Sequence, residues 1–457
     1  MNQQPTLSGH QPNLSLFPST STENWGNGVG LGRADLGTFK ASLRAPIHRW
    51  FTYPAGFSYK GVEEAFKLYG IRPGMTVYEP FAGTATTNLV AKQQGIHSFG
   101  IEAHPFVQFV AQTKLFWEFD MRQLQRDIDA LTATIRDAAA QELNESEAGA
   151  AFPELVRKCY HPTKLARLWV CREAILALPP SPFRNLAKLG LTNLLRSIAD
   201  VHTGWPYIAP GKPKTSSPDV LGALRDQLLL MASDIAQTVR QTTSGAQTNL
   251  IAGDSRERHS IIKDSSVDLS FTSPPYLNNY DYADRTRLET YFWGEAKSWG
   301  DITEKVRSKL IMSATTQVLR GGFDKNHAMS AELCAIAPCI AETLQEKVSQ
   351  LVELRLVKGG KKSYDMMVAG YFNDMLPILR EAYRVLKPGA AFVLIMGDSA
   401  PYGVHIPTDV YLGEIGVSVG FARYEIEDLR VRGGKWKNNP QRHNVVLKES
   451  ILTLFKN

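Results

Sequence analysis

VDLSFTSPPY, residues 267–276, is an apolar run followed by a polar and aromatic loop. The apolar part predicts a strand, and the two successive prolines remove two backbone donors and restrict the turn. They limit where the Ser273 hydroxyl, the Pro274 carbonyl and the Tyr276 ring point. Both oxygens accept hydrogen bonds from an exocyclic amine, and the ring offers a stacking face. The loop therefore suits a planar base amine, although Pro-Pro-Tyr also occurs as a surface turn or as a ligand of proline-recognising domains.

A second stretch upstream predicts a nucleoside site. Residues 75–86, MTVYEPFAGTAT, form a short strand that enters a turn of small residues. Gly83 permits a close backbone approach there. The next predicted strand, residues 97–102, ends in Glu102, roughly 20 residues after the turn, where a carboxylate receives ribose hydroxyls. A generic nucleotide-binding Rossmann unit is the alternative.

These two stretches together resemble motifs IV, I and II of the S-adenosylmethionine-dependent DNA amino-methyltransferases, which methylate cytosine N4 or adenine N6. The Ser-Pro-Pro-Tyr form is commoner in the cytosine-N4 branch. The resemblance covers residues 47–115, 246–293 and 365–457. It implies a class I methyltransferase fold, that is, a Rossmann-like α/β fold with a mostly parallel seven-stranded sheet and helical insertions. One departure is Ala85, which stands where the family commonly has a second glycine.

The resemblance implies S-adenosylmethionine as the cofactor and assigns residues to it in five segments. Residues 47–58 resemble motif X, although a hydrophobic strap packed on the sheet is the alternative. Asp254, at the end of a third predicted strand, belongs near the adenine, and a helix N-cap is a compatible role. The implied cofactor residues are Tyr53, Phe57, Ser58, Glu79, Pro80, Phe81, Ala82, Gly83, Thr84, Glu102, Asp254 and Thr272.

The implied catalytic residues are Ser273, Pro274, Pro275 and Tyr276. Ser273 and the Pro274 carbonyl would accept the amine hydrogens of a base extruded from double-stranded DNA onto Tyr276. No metal is expected in this chemistry. The candidate nucleic-acid contacts are basic or amide side chains in predicted loops, each of which has an ordinary solvated turn as its alternative. They are Lys212, Lys214, Asn278, Asn279, Lys361, Lys362 and Lys435.

Further segments predict the remaining sheet and the domain organisation. A helical pattern from Tyr371 to Leu386 is expected to end at Lys387-Pro388-Gly389, followed by a buried strand at 391–396 and strands at 421–429 and 449–455. The predicted segments are a flexible N-terminal segment (1–46), the cofactor-binding half of the core (47–115), a helical insertion and candidate target-recognition region (116–245), the catalytic segment of the core (246–299), a second insertion (300–364) and the C-terminal part of the core (365–457).

Composition agrees with an intracellular enzyme. The 457 residues are 43% hydrophobic, enough for a large core, and the net charge of +6 favours a polyanionic partner without proving one. The four cysteines form no CxxC pair, so neither zinc nor a disulfide framework is indicated. No apolar stretch predicts a membrane span and no signal pattern is present, so a cytoplasmic location is expected.

The resemblance therefore implies a site-specific DNA methyltransferase that acts on cytosine N4. Three alternatives stay open: adenine N6 in DNA as the target, an RNA amine as the target, and a non-catalytic DNA-binding subunit that retains the fold. A restriction or phage-defence partner protein is also possible on these grounds.

Overall fold

A computed structural model describes residues 37–53, 56–141, 143–204, 208–214, 219–243, 245–318, 327–357, 362–432 and 445–457. The strands are β1 (Thr76–Glu79), β2 (His97–Glu102), β3 (Val201–His202), β4 (Ala209–Pro213), β5 (Thr248–Ala252), β6 (Val267–Thr272), β7 (Leu386–Gly397), β8 (Arg423–Arg432) and β9 (Leu447–Phe455).

The helices are α1 (Tyr59–Leu68), α2 (Thr86–Gln93), α3 (Pro105–Leu115), α4 (Met121–Ala139), α5 (Glu145–Ala150), α6 (Glu154–Arg157), α7 (Pro162–Ala177), α8 (Pro182–Ile198), α9 (Val220–Gln241), α10 (Tyr282–Arg285), α11 (Arg287–Phe292), α12 (Trp299–Lys305), α13 (Ala331–Ile336), α14 (Pro338–Val357), α15 (Tyr364–Val385) and α16 (Thr408–Val419).

Seven strands form one mixed sheet in the order β5-β2-β1-β6-β7-β9-β8. The pairs from β5 to β7 are parallel, and β9 runs antiparallel to both of its neighbours. The side chains of residues 390–397 in β7 are all buried, as expected of a strand covered on both faces. The predicted class I methyltransferase sheet, mostly parallel with helical insertions, is confirmed.

The helix before β7 differs from its predicted bounds at both ends. It begins at Tyr364, seven residues before Tyr371, because buried apolar residues continue its apolar face from Met366 onward. It ends at Val385, and Leu386 already pairs with Val267. Lys387-Pro388-Gly389 was predicted to be a turn between the helix and the sheet. In the structure it is instead an irregularity within β7. There the register shifts, and Gly389 has a φ of 79°.

The first insertion, residues 116–245, contains helices α4 to α9 and a separate two-stranded sheet formed by β3 and β4, which the helical prediction missed. Its apolar side chains share one hydrophobic core with the cofactor half: Leu124 and Leu228 of the insertion belong to the same cluster as Leu89 and Phe106. The insertion is thus packed onto the sheet's helices.

A buried aspartate fastens this insertion to the segment before α1. Asp234 of α9 is 1% exposed. Its Oδ2 accepts hydrogen bonds from Ile47 N (3.1 Å), Arg49 Nε (3.0 Å) and Trp50 Nε1 (3.0 Å). Ile47 has a φ of 63°, so the aspartate holds a backbone turn that is unfavourable for a β-branched residue.

Only residues 37–46 of the predicted flexible N-terminal segment lie within the described chain. They pack against the protein: Ser42 is fully buried, and its Oγ accepts a hydrogen bond from Tyr59 N at 3.2 Å. Within the described residues, none of the helices combines the length and the apolar character that crossing a membrane requires.

Candidate active site

A cleft lies at the carboxyl ends of β1, β2, β5 and β6, the edge at which parallel sheets bind ligands. Its empty space is about 860 Å³, a volume that includes space open to solvent. The predicted residues that line it are Tyr53, Phe57, Pro80, Phe81, Ala82, Gly83, Thr84, Glu102, Asp254, Ser273 and Pro275.

The turn between β1 and α2 forms the floor of this cleft. Gly83 has a φ of 53° and Ala85 a φ of 67°, so two residues of the turn adopt the left-handed conformation that favours glycine. Ala85 adopts this conformation although it carries a side chain, which is fully buried.

Glu102 is held against this turn at the end of β2. Its Oε2 accepts a hydrogen bond from Gly83 N at 2.8 Å, and its Oε1 accepts one from His104 N at 2.7 Å. Burial nevertheless raises the pKa of Glu102 to about 7. Each oxygen retains acceptor capacity toward the cleft that it lines, as a carboxylate facing ribose hydroxyls requires.

Glu79 and Thr272 lie beneath the cleft and do not line it. Glu79 is 1% exposed, and its oxygens accept hydrogen bonds from Thr87 Oγ1 (2.7 Å), Phe81 N (3.2 Å) and Thr272 Oγ1. Burial raises the pKa of this carboxyl to about 8. The pair therefore joins β1, β6 and α2 below the turn, and the structure gives neither residue a surface toward a cofactor.

Asp254 lines the cleft near the end of β5 and is paired with an arginine. Arg256 Nε lies 2.9 Å from Asp254 Oδ1, and Arg256 Nη1 lies 2.8 Å from Asp374 Oδ1 on α15. Asp374 Oδ2 in turn accepts a hydrogen bond from Met312 N at 2.8 Å. No helix begins after Asp254, so its side chain stabilises a turn and is not a helix N-cap.

The segment before α1 divides into cleft residues and a helix cap. Tyr53 and Phe57 line the cleft, and Phe57 packs edge-on against Phe271 of β6, with ring centroids 5.4 Å apart. Ser58 is fully buried, and its Oγ accepts a hydrogen bond from Lys60 N at 3.2 Å. Ser58 therefore caps α1, in contrast to its predicted contact with the cofactor.

The Ser-Pro-Pro-Tyr loop follows β6 directly and reaches the same cleft. Ser273 and Pro275 line it, whereas Pro274 and Tyr276 are buried behind them. The Tyr276 hydroxyl donates to Glu449 Oε1 at 2.8 Å, and Arg430 Nε donates to Glu449 Oε2 at 2.5 Å. Burial, followed by Glu449, raises the pKa of the Tyr276 phenol.

Several cleft residues were missed by sequence reasoning. Ala103 and His104 directly follow Glu102, and Tyr282 follows the Ser-Pro-Pro-Tyr loop, so their positions beside motifs were an available signal. Lys309, Leu310 and Ile311 come from the second insertion, where no motif marks them. The missed residues are Gly56, Thr86, Ile101, Ala103, His104, Ser255, Tyr282, Lys309, Leu310 and Ile311.

The predicted nucleic-acid contacts are scattered. Lys212 is exposed on β4, whereas Lys214 Nζ donates to the carbonyls of Arg196 (2.8 Å) and Ser197 (3.2 Å) near the end of α8. Asn278 and Asn279 follow the Ser-Pro-Pro-Tyr loop, and Asn278 is exposed with a φ of 59°. Lys362 is exposed, its Nζ 5.8 Å from the Tyr364 ring centroid. Lys361 and Lys435 lie outside the described residues.

The part of the chain that the structure describes contains no metal-binding cluster of histidine, cysteine, aspartate or glutamate.

Comparison with known proteins gives relatives that align along most of the chain. The Type II methyltransferase M.BsoBI of Geobacillus stearothermophilus is 26% identical, with 92% of this chain and 87% of the relative covered. M.AvaI of Nostoc sp. is 23% identical over 84% and 81%, and M.MvaI of Kocuria varians is 20% identical over 92% and 93%. No family model matches the chain. The sheet order and the cleft are those expected of a class I methyltransferase, and the chain is similar to Type II methyltransferases over most of its length.

Proposed function

We propose that this chain transfers a methyl group from S-adenosylmethionine to the N4 amine of a cytosine in DNA, at a specific sequence. One observation carries the proposal: Ser273 and Pro275 line the same cleft as Gly83 and Glu102. A cofactor held by the turn and the carboxylate would thus lie beside the loop that receives the amine. The relatives named Type II methyltransferases support DNA as the substrate.

The cleft residues fit the cofactor. Glu102 presents two carboxylate oxygens for ribose hydroxyls, and the turn at Gly83 keeps side chains away from the ligand. Tyr53 and Phe57 supply aromatic walls. When bound, S-adenosylmethionine supplies an electrophilic methyl group on a positively charged sulfur.

The catalytic loop acts on the amine. A base amine is a poor nucleophile because its lone pair is delocalised into the ring. If the Ser273 hydroxyl and the Pro274 carbonyl accept its two hydrogens, the nitrogen is drawn toward tetrahedral geometry and oriented for attack. The two prolines fix these acceptors before the substrate arrives.

The duplex must deliver the base to this cleft, because an amine inside a base stack is out of reach. We assign the stacking surface to Tyr276. Phosphate and backbone contacts are assigned to Lys212 on the β3–β4 hairpin, to Asn278 and Asn279, and to Lys361, Lys362 and Lys435. We keep Lys214 as a secondary contact, since its amine is engaged by α8. We also propose that a restriction or phage-defence protein is the partner of this chain.

The test uses purified protein, DNA of mixed sequence and S-adenosylmethionine with a deuterated methyl group. Mass spectrometry of the digested nucleosides should find labelled N4-methyldeoxycytidine. Labelled N6-methyldeoxyadenosine instead would show that the target base is adenine. Label in tRNA but not in DNA would move the substrate to RNA, and no label in either, with cofactor bound, would identify a non-catalytic subunit.

A further inference from the structure

The ring to which we assign base stacking is covered. Tyr276 is 8% exposed, and the guanidinium carbon of Arg432, at the end of β8, lies 5.2 Å from its ring centroid. A planar cation over an aromatic face is an attractive arrangement. The surface that an extruded base would need is therefore occupied by a side chain of the protein.

Gly397, at the end of β7, provides the room for this arrangement. A Cβ atom placed on Gly397 would lie 3.2 Å from Tyr276 Cδ2 and would overlap Arg432 Nη1. The compartment at the ends of β7 and β8 thus holds the ring and the guanidinium together only because this position has no side chain.

Arg432 is held there weakly. Its Nη1 donates to the Asp398 carbonyl at 3.3 Å, a long hydrogen bond. Glu449, the carboxylate beside Tyr276, is already engaged by the tyrosine hydroxyl at 2.8 Å and by Arg430 at 2.5 Å. Within the described ranges Arg432 forms no ion pair, whereas Arg430 does. Its guanidinium can leave the ring without stranding a buried carboxylate.

We propose that Arg432 is a placeholder for the target base. In the absence of DNA its planar guanidinium covers Tyr276, and it leaves when the base enters. This inference rests on the proposed function, because it takes Tyr276 as the base-stacking residue. Arg432 is then a positioning residue whose displacement opposes base capture, and its removal should favour capture.

The experiment compares two duplexes that carry the recognition sequence, one with the target cytosine mispaired and one with an abasic site in its place. Phosphate contacts are common to both, so the ratio of their dissociation constants isolates the contribution of the base. Arg432→Ala should increase the affinity for the base-containing duplex, relative to the abasic duplex, by about 2- to 30-fold. This is the factor that corresponds to the free energy of a cation–π contact. Arg432→Lys keeps the positive charge but lacks the planar guanidinium, so it should change the ratio of dissociation constants less. This variant also keeps the inference testable if the alanine variant misfolds.

The matched control is Arg423→Ala. Arg423 lies on the same strand and also covers an aromatic ring, Phe455, at 3.6 Å, but it is at the opposite end of β8. Its loss should leave the ratio unchanged. An unchanged or reversed ratio for Arg432→Ala, or equal weakening of both duplexes, overturns the placeholder. If the parent protein methylates DNA in that case, only this inference fails; if the parent methylates no DNA, the proposed function fails as well.

Discussion

Glu102 is the residue through which cofactor binding should depend on pH. Burial raises its pKa to about 7, and ribose hydroxyls donate to the ionised carboxylate. Affinity for S-adenosylmethionine should therefore fall as the pH drops from 8 to 6, approaching about tenfold per unit below the pKa. Glu102→Gln should bind S-adenosylmethionine about tenfold or more weakly at pH 8, because it loses charge-assisted hydrogen bonds of roughly 1.5–3 kcal/mol. The affinity of this variant should also depend less on pH. Calorimetry that finds equal affinity for both proteins at pH 8 would refute the assignment.

Glu79 should affect stability where Glu102 affects binding. Burial raises its pKa from 4.5 to about 8, so the folded state binds this proton more tightly than the unfolded state. Stability should consequently fall as the pH rises from about 4.5 to about 8, by up to about 1.4 kcal/mol per unit. In urea unfolding, Glu79→Gln should reduce the dependence of the free energy of unfolding on pH. The control Glu257→Gln, at an exposed position, should not. Parallel slopes for parent and Glu79→Gln would contradict this account.

At the scale of elements, the β3–β4 hairpin carries two lysines with different expected roles. Lys212 is exposed, whereas Lys214 Nζ donates to two carbonyls near the end of α8. Lys212→Ala should weaken binding to all duplexes similarly and reduce the salt slope by about 1. Lys214→Ala should instead lower the free energy of unfolding by about 1 kcal/mol. Titrations across salt concentrations check the first effect, and an unchanged slope for Lys212→Ala would remove the hairpin from the DNA surface.

Elements with a local signal were predictable, and those set by distant packing were not. Gly83 and Glu102 belong to a turn and a strand end whose geometry is fixed within roughly 20 residues, and the structure joins them by a hydrogen bond of 2.8 Å. Tyr276 has its position from the same kind of motif. Its hydroxyl, however, donates to Glu449, which is 173 residues away in sequence. Likewise nothing local in Lys309, Leu310 or Ile311 indicates that the second insertion folds back onto the cleft.

At the scale of the whole molecule, the first insertion should influence the cofactor cleft from a distance. Asp234 of α9 holds Ile47 and Trp50, which precede Tyr53 of the cleft. Asp234→Ala leaves their buried donors unsatisfied, at a cost of about 1–3 kcal/mol each. Both the urea midpoint and the affinity for S-adenosylmethionine should fall.

Asp226→Ala is the matched control, because Asp226 is exposed on the same helix. It should change neither quantity. If Asp234→Ala lowered stability and left cofactor affinity intact, the insertion would be coupled to the fold but not to the cleft.

The central claim is that one cleft joins a cofactor half to a catalytic loop, and Ser273 tests it most directly. The measurement is single-turnover methylation of DNA by Ser273→Ala at saturating S-adenosylmethionine, with cofactor affinity determined on the same protein. We predict a rate at least about 10²-fold below the parent, the typical effect of losing one transition-state partner, and an affinity close to that of the parent. A parental rate, or a loss of rate explained entirely by weaker cofactor binding, would contradict the account.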